Sequence, residues 1–199
     1  KTPPAERAAP QKADARLPEV EIACRPGERA PELSRPKPNT LYKVTELDAT
    51  GRPLATRTYE TDGLGRTVHA TGELLNITGT RNQYDQQRVG GKDRREGPLS
   101  KPGTAKGTRD DGGHLIGTEF DGRGEAINMV AQDSWMNEHG PWRKMEIGWK
   151  KALDTGHKVS VDIREIYVGD SLRPDRTRVI ENIDGKIKSF TFKNEPDGK

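Results

Sequence analysis

Alternating apolar and polar positions begin at Thr40 and predict three consecutive β-strands, over residues 40–47, 54–61 and 67–74. The segments Asp-Ala-Thr-Gly-Arg and Asp-Gly-Leu-Gly-Arg separate these strands. Aspartate and glycine in this arrangement favour tight turns, so two hairpins explain the similarity of the segments. A fragment of a tyrosine–aspartate repeat shell is an alternative explanation, although such a shell needs many copies.

A second strand pair, a helix and three more strands follow. The stretches 113–120 and 127–132 are strand-like, and 141–156 has the strongest helical pattern, with Pro141 at its first position and Gly156 at its exit. The last strand-like stretches are 157–168, 176–183 and 186–194. The pattern predicts an α+β fold with an antiparallel β-sheet core.

The region before Thr40 has a different composition. Residues 1–39 are rich in Pro, Ala, Glu and Arg and lack a regular apolar face, which predicts a Pro-rich linker or extended arm. The folded domain is then expected over residues 40–196. The single cysteine, Cys24, lies in the expected arm, where it cannot form an internal disulfide or a thiolate metal site.

Positive charge is concentrated in one segment of the chain, residues 81–109. The chain has a formal net charge of +3, yet residues 81–109 carry eight positive and three negative side chains. The positive ones are Arg81, Arg88, Lys92, Arg94, Arg95, Lys101, Lys106 and Arg109. Without periodicity, this stretch is interpreted either as a solvated loop or as a loop that contacts phosphates. No apolar run is long enough for a membrane span.

The helix at 141–156 carries a carboxylate on its apolar face. Trp142, Met145 and Trp149 share one stripe, and Glu146 lies within it. An ionised glutamate on a buried face is costly unless it is paired. Two explanations are open: an ion pair with Lys150 four residues later, or a functional site that Glu146 faces.

A histidine stands in an unusual setting further upstream. Asp111, Gly112 and Gly113 precede His114, and Asn128 and Asn137 follow. A neutral imidazole, with its ordinary pKa of about 6.5, suits proton abstraction near neutral pH. The other histidines are His69, His139 and His157. The neighbouring glycines and the preceding acid favour His114 as the functional one.

These residues, in this order, carry a resemblance. Asp111-Gly112-Gly113-His114, then Asn128 to Gln132, then Asn137, Trp142 and Glu146 resemble the DNA/RNA non-specific endonucleases. This family belongs to the ββα-metal, or His-Me finger, nucleases. The resemblance extends over about residues 55–168 and is greatest to nuclease modules at the C-terminal ends of bacterial polymorphic toxins.

The resemblance implies a role for each motif residue. His114 would be the general base, and Asn137 would hold one Mg²⁺, with Mn²⁺ as a possible substitute. Glu146 would orient the waters of the metal. Asn128 would fix the hairpin or orient the imidazole, and Gly113 would permit a tight backbone turn.

One position departs from the family pattern. Many members have arginine where this chain has Gly112, so the cation near the phosphate must come from elsewhere or be dispensable. The candidates, in order of preference, are Arg109, Arg143, Arg123, Arg94 and Arg95. The spacing from Asn137 to Glu146 is also one residue longer than is common.

The expected function is therefore metal-dependent cleavage of DNA, or of RNA, with little sequence preference. The toxin resemblance implies delivery into a target cell as part of a larger secreted protein, and a cognate immunity protein as inhibitor. Two alternatives are a non-enzymatic β-rich binding module and a zinc hydrolase that uses His114, His139 and a carboxylate. The spacings match no established zinc pattern.

Overall fold

A seven-stranded sheet and a separate two-stranded hairpin form the β-structure of the computed structural model, which describes residues 16–90 and 110–199. The strands of the large sheet, in spatial order, are β1 (Glu19–Cys24), β2 (Leu41–Leu47), β3 (Pro53–Thr61), β4 (Thr67–Glu73), β7 (Val159–Ile166), β8 (Arg176–Ile183) and β9 (Lys186–Lys193). The hairpin consists of β5 (Asp110–His114) and β6 (Met129–Asp133). All neighbouring strands are antiparallel except β1 and β2, which confirms the predicted α+β class.

The helices are α1 (Pro31–Ser34), α2 (Gln83–Gly90), α3 (Ser134–Glu138) and α4 (Pro141–Asp154). Helix α4 occupies most of the predicted stretch and starts at Pro141, as predicted. Its buried tryptophans pack between the sheet and the hairpin: Trp142 contacts Phe192, and Trp149 contacts Phe120. The indole of Trp149 also donates to the buried carboxylate of Glu181 at 2.6 Å, so the core satisfies this polar group.

The two similar turn segments are hairpin turns, as the first explanation predicts. Oδ1 of Asp48 accepts from the backbone N–H groups of Thr50 and Arg52, at 2.8 and 2.9 Å. Oδ1 of Asp62 does the same for Leu64 and Arg66, at 2.9 and 3.0 Å. The shared sequence therefore encodes the same aspartate-capped turn twice.

The strand predicted over residues 113–120 is shifted towards the N-terminus in the structure. Strand β5 runs over Asp110–His114, and the apolar residues after it enter a loop with short 3-10 helices at Thr118–Phe120 and Ala126–Asn128. Leu115, Ile116 and Phe120 are buried in this loop rather than in a ladder. The prediction was wrong because a run of buried apolar residues does not distinguish a strand from a core-facing loop.

The predicted arm and the predicted charged loop also contain regular structure. Strand β1 pairs with β2 from Glu19↔Leu41 to Cys24↔Glu46, and Cys24 and Leu33 are buried. Residues 19–34 are therefore part of the domain and not a linker. Helix α2 lies in the charged stretch. It has weak amphipathic character, because its buried residues are Asp85 and Gly90 rather than large apolar side chains.

Backbone-to-backbone packing joins helix α2 to strand β5. A Cβ built on Gly112 would lie 2.3 Å from the carbonyl oxygen of Gln86, and one built on Gly90 would lie 2.2 Å from the amide nitrogen of Gly112. Any side chain at either position would separate the two elements. Gly112 is therefore required by the packing of α2, and an arginine cannot occupy this position without displacing the helix.

Gly112→Ala is expected to lower the free energy of unfolding by about 1–3 kcal/mol, because the added methyl group overlaps the α2 backbone. Gly148→Ala is the matched control, since Gly148 lies inside α4 with nothing within 4 Å of its Cβ position. This control should raise the free energy of unfolding by roughly 0.5–1 kcal/mol through helix propensity. Urea denaturation measures both, and equal effects of the two substitutions would contradict the packing argument.

Candidate active site

An open cleft of about 400 Å³ lies where the hairpin, α2, α3 and α4 meet. Its lining is almost entirely polar, and the residues are Arg81, Gln86, Asp111, His114, Gly117, Thr118, Glu119, Asn137, Glu138, Arg143 and Glu146. Five of the expected site residues thus line one cleft, namely Asp111, His114, Asn137, Arg143 and Glu146. They lie on strand β5 and on the helices α3 and α4, which follow the second strand of the hairpin.

His114 ends strand β5 and opens into the cleft with only 8% of its surface exposed. Among the described residues its Nε2 has no hydrogen-bond partner. Burial, and after it the positive charge of Arg81, lowers the pKa of His114 to about 4. The imidazole is therefore neutral at physiological pH and has not committed its Nε2 proton or lone pair to another side chain.

Position 113 requires glycine, because the side chain of Gln132 on the paired strand lies against its backbone. A Cβ at Gly113 would meet Oε1 of Gln132 at 2.2 Å. The two glycines before His114 thus have separate neighbours, α2 on one side and β6 on the other. Together they let the strand pass between two elements and deliver the histidine to the cleft.

Asn137 lies on the short helix α3, which starts after Asp133. The carboxylate of Asp133 accepts from the backbone N–H of Met136 at 3.0 Å and so caps this helix. The Nδ2 of Asn137 donates to Asp111 at 3.2 Å. This contact orients the amide and leaves its carbonyl oxygen as the available ligand atom.

Glu146 is buried on the apolar face of α4, and its partner is Arg143 at 3.2 Å. Lys150, the alternative partner, pairs with Asp154 instead. Burial raises the pKa of Glu146 to about 7, although the hydrogen bond from Arg143 opposes this increase. The loop approaches Glu146 closely, since a Cβ on Gly117 would lie 2.9 Å from its Oε1.

Arg143 also pairs with Glu119, a cleft residue that the sequence did not indicate. Two carboxylates thus share one guanidinium, and this arrangement reduces the positive charge that Arg143 can offer to a phosphate. Glu119 was missed because the stretch around it was interpreted as a strand. The Gly-Thr-Glu-Phe-Asp-Gly sequence, which is rich in turn-forming residues, was the available signal.

Asn128 and Arg123 do not line the cleft. The buried amide of Asn128 accepts from the N–H of Ile116 and donates to the carbonyls of Ile116 and Arg123, at 3.0, 2.8 and 2.8 Å. It therefore closes the loop between β5 and β6. The guanidinium of Arg123 is buried in an ion-pair network with Glu125 and Glu46.

Arg109, Arg94 and Arg95 lie outside the described residues. The structure adds a cation that was not among the candidates, Arg81, which lines the cleft beside His114. Asn82 follows it and caps α2 by accepting from the N–H of Asp85 at 3.2 Å. Arg81 is exposed and has no ion pair with any residue in the described ranges. Within a stretch of eight positive charges, no sequence signal separated it from the rest.

A partly buried arginine, Arg173, anchors the hairpin to the far end of the sheet. Arg173 makes two hydrogen bonds to the carboxylate of Asp110, at 2.7 and 3.0 Å, and a third to the carbonyl of Asn194. Asn194 in turn bonds the hairpin backbone at Ala131 and Asp133. The strand that carries His114 is thereby fixed to the main sheet at its first residue.

The zinc alternative finds no support in the described part of the chain. No group of three or more His, Cys, Asp or Glu side chains converges there in a way that could hold a metal ion. His139 is exposed and contacts Glu138 and Trp135, not His114. In the same ranges, no helix is long and apolar enough to cross a membrane.

Residues 38–185 match the family model for the DNA/RNA non-specific endonuclease. The chain belongs to this family. The predicted resemblance is thus confirmed at family level, and the chain is a hydrolytic nuclease of a metal-dependent family. Among curated proteins, it is 34% identical over 134 residues to the type VII secretion system protein EssD of Staphylococcus aureus (strain USA300). This match covers 64% of the chain and 20% of EssD, so the chain spans about a fifth of this relative.

Solved structures with the same fold include NucA from Streptococcus agalactiae, with a TM-score of 0.52 and 19% identity. The superposition covers 73% of this chain and 77% of NucA. The Sda1 nuclease with bound zinc ion is similar with a TM-score of 0.49 and 16% identity, over 79% and 84% of the two chains. The chain therefore shares its overall fold with NucA.

His114 is expected to stay neutral down to pH values well below the ordinary histidine pKa of about 6.5, because burial lowers its pKa to about 4. NMR titration of the imidazole signal, assigned with His114→Ala, measures this pKa. Stability should decrease as the pH falls from about 6.5 towards 4, because the unfolded His114 binds a proton that the folded one does not.

Arg81→Gln supplies the control for the cause of this shift. Removal of the nearby positive charge should raise the pKa of His114, while Arg52→Gln, in a distant hairpin turn, should leave it unchanged. A His114 signal that titrates near 6.5 in the parent protein would contradict the burial of the imidazole.

Proposed function

We propose that the chain is a metal-dependent endonuclease that hydrolyses phosphodiester bonds of DNA, or of RNA, with little sequence preference. The observation that carries the proposal is the neutral imidazole of His114 in the same polar cleft as the oriented Asn137–Asp111 pair, with its Nε2 lacking a hydrogen-bond partner among the described residues. Family membership supports the reaction class. DNA is the preferred expectation for the substrate.

His114 acts as the general base. Its neutral imidazole accepts a proton from a water molecule, and the oxygen of this water forms a bond to phosphorus as the bond to the 3′-oxygen breaks. The depressed pKa keeps the base deprotonated without a partner carboxylate. The shallow, polar cleft suits a backbone phosphate rather than an enclosed base, which agrees with recognition that is not sequence-specific.

The donor set of the cleft fits a hard divalent cation. Asn137 offers a neutral carbonyl oxygen, and the carboxylate of Glu146 lines the same space, so the available donor atoms suit Mg²⁺ or Mn²⁺. Asn137 would hold the ion, and Glu146 would orient its waters. A bound ion supplies positive charge that stabilises the negative charge developing on the phosphate and the leaving oxygen.

Arg81 is the phosphate-binding cation in this proposal. Helix α2 fills the space beside Gly112, so an arginine cannot lie there, and Arg81, which lies just before the same helix, replaces it. Arg143 is less suited, because Glu119 and Glu146 already share its charge. Arg81 has no such partner among the described residues.

His114→Ala is expected to lower the rate of plasmid cleavage by at least about a hundredfold, because it removes the base. His139→Ala, which alters an exposed histidine outside the cleft, is the control. EDTA should abolish cleavage by the parent protein, and added Mg²⁺ or Mn²⁺ should restore it. The assay compares supercoiled plasmid with single-stranded RNA.

In the same assay, Arg81→Gln should lower kcat/KM by roughly ten- to a hundredfold, through the loss of one charge-assisted phosphate contact. Arg81→Lys should recover part of this loss. Metal-dependent cleavage that survives in His114→Ala would sink the assignment of the base, and an unaffected Arg81→Gln would sink that of the cation.

We also propose that the chain is the toxic part of a larger secreted protein. EssD is named as a protein of a type VII secretion system, and its match to this chain supports the proposal. A cognate immunity protein would then cover the cleft inside the producing cell, and the target would be the cytoplasm of another cell.

Expression of the parent protein alone is expected to stop bacterial growth, while His114→Ala should not. Co-expression with the product of the neighbouring reading frame should restore growth and yield a complex of the two proteins. Unimpaired growth with active, soluble parent protein would argue against a toxic role.

A further inference from the structure

Four cations cluster on the sheet face that points away from the hairpin. Because Glu165, Thr177 and Phe192 are buried on the inner side, their strand neighbours point outward. The outward residues are Arg164, Arg176, Arg178 and Lys193, here called the basic corner. The three arginines are exposed, and Lys193 is partly exposed.

The strand register places like charges opposite each other. Arg164 of β7 pairs with Arg178 of β8, and Arg176 pairs with Lys193 of β9. Directly opposed side chains have Cβ atoms about 4.5–5.5 Å apart, so like charges at these positions destabilise the sheet. The sheet therefore contains two neighbouring pairs of opposed cations that destabilise it.

Carboxylates compensate the basic corner only in part. Asp162 contacts Arg164 at 3.4 Å, and Asp175 contacts Arg176 at 3.1 Å. Asp162 is also shared with His69 on the next strand. Within the described ranges, Arg178 and Lys193 take part in no ion pair. A positive excess therefore remains on an exposed surface, where a polyanion would be stabilised.

The basic corner is joined directly to the end of the cleft that holds Asn137. Lys193 precedes Asn194, whose side chain bonds the carbonyl of Ala131 and the N–H of Asp133. Asp133 caps helix α3, on which Asn137 lies. The basic corner and helix α3 are thus anchored to the same end of the hairpin.

We propose that the basic corner is a second phosphate-binding surface for nucleic acid, which holds the part of a long substrate that extends beyond the cleft. This inference rests on the proposed nuclease function. Three or four backbone contacts outside the cleft would increase affinity for long substrates through release of counterions. They would add no sequence preference, because the side chains meet phosphates and not base edges.

The test uses the His114→Ala protein in EDTA, so that substrate is bound but not cut. Arg164→Gln, Arg176→Gln and Arg178→Gln are combined in this background, and binding of a long labelled duplex is followed by fluorescence anisotropy over a range of salt concentrations. The affinity should fall by roughly tenfold or more, and the slope of log Kd against log salt should decrease by about two to three. A short duplex that spans only the cleft should bind as before.

The matched control combines Arg52→Gln, Lys151→Gln and Lys158→Gln, three exposed cations away from the basic corner. This control removes the same total charge and should change the affinity and the slope much less. Because the basic corner contains opposed like charges, its triple variant should unfold at equal or higher urea concentration, which excludes misfolding as the cause.

Unchanged affinity and slope in the basic-corner variant, or equal losses in the control, would overturn the inference. Unchanged affinity and slope would indicate that the basic corner binds an acidic protein partner instead. Neither result touches the nuclease proposal, which fails separately if the parent protein does not cleave nucleic acid with a divalent ion.

Discussion

Direct contact between the backbones of helix α2 and strand β5, at Gly90 and Gly112, is the constraint on which the site depends. Side chains normally separate a helix from a strand, whereas here both elements have glycine at the point of contact. The contact sets how closely α2 approaches the hairpin and so fixes the helix start, where Asn82 caps α2 and Arg81 enters the cleft. One pair of glycines thus excludes a cation from the strand and holds the helix whose preceding residue, Arg81, lines the cleft.

Burial sets the pKa values of two groups in the cleft. The imidazole of His114 and the carboxyl of Glu146 both lie almost fully inside the protein, and burial shifts their pKa values in opposite directions, to about 4 and about 7. Both shifts favour the neutral form of these two groups, although the hydrogen bond from Arg143 opposes the increase at Glu146. The proposed base and the proposed metal-site residues are thus already positioned before a substrate binds.

The sequence predicted the elements whose periodicity is unambiguous. Helix α4 and strands β2, β3, β4, β7, β8 and β9 lie where alternation or helical spacing placed them. Strand β1 escaped prediction although Val20, Ile22 and Cys24 alternate with other residues, because this short run lies in a Pro-rich stretch and its parallel partner is 22 positions later in the chain. Helix α2 escaped because a helix held by glycine contacts and by its capping asparagine needs no apolar stripe.

The same distinction applies to the site. The resemblance singled out His114, Asn137 and Glu146 by their spacing, and the structure places all three in one cleft, where their roles are proposals. Arg81 and Glu119 line the same cleft but were not predicted, since no spacing encodes tertiary proximity. Asn128 was found for a motif position but serves the loop rather than the cleft, which the hydrogen bonds of its buried amide decide.

The folded domain extends beyond the residues that match the family model, because strand β1 pairs with β2. The matched region spans residues 38–185, yet the N–H of Ala30 donates to the buried carboxylate of Glu125 at 2.9 Å, and Asn194 bonds the hairpin from the other side. Trimming the chain to the matched limits would remove β1, α1 and β9 together. Glu125 would lose a donor, the hairpin would lose its second anchor, and the shortened protein would keep every motif residue while losing the scaffold that aligns them.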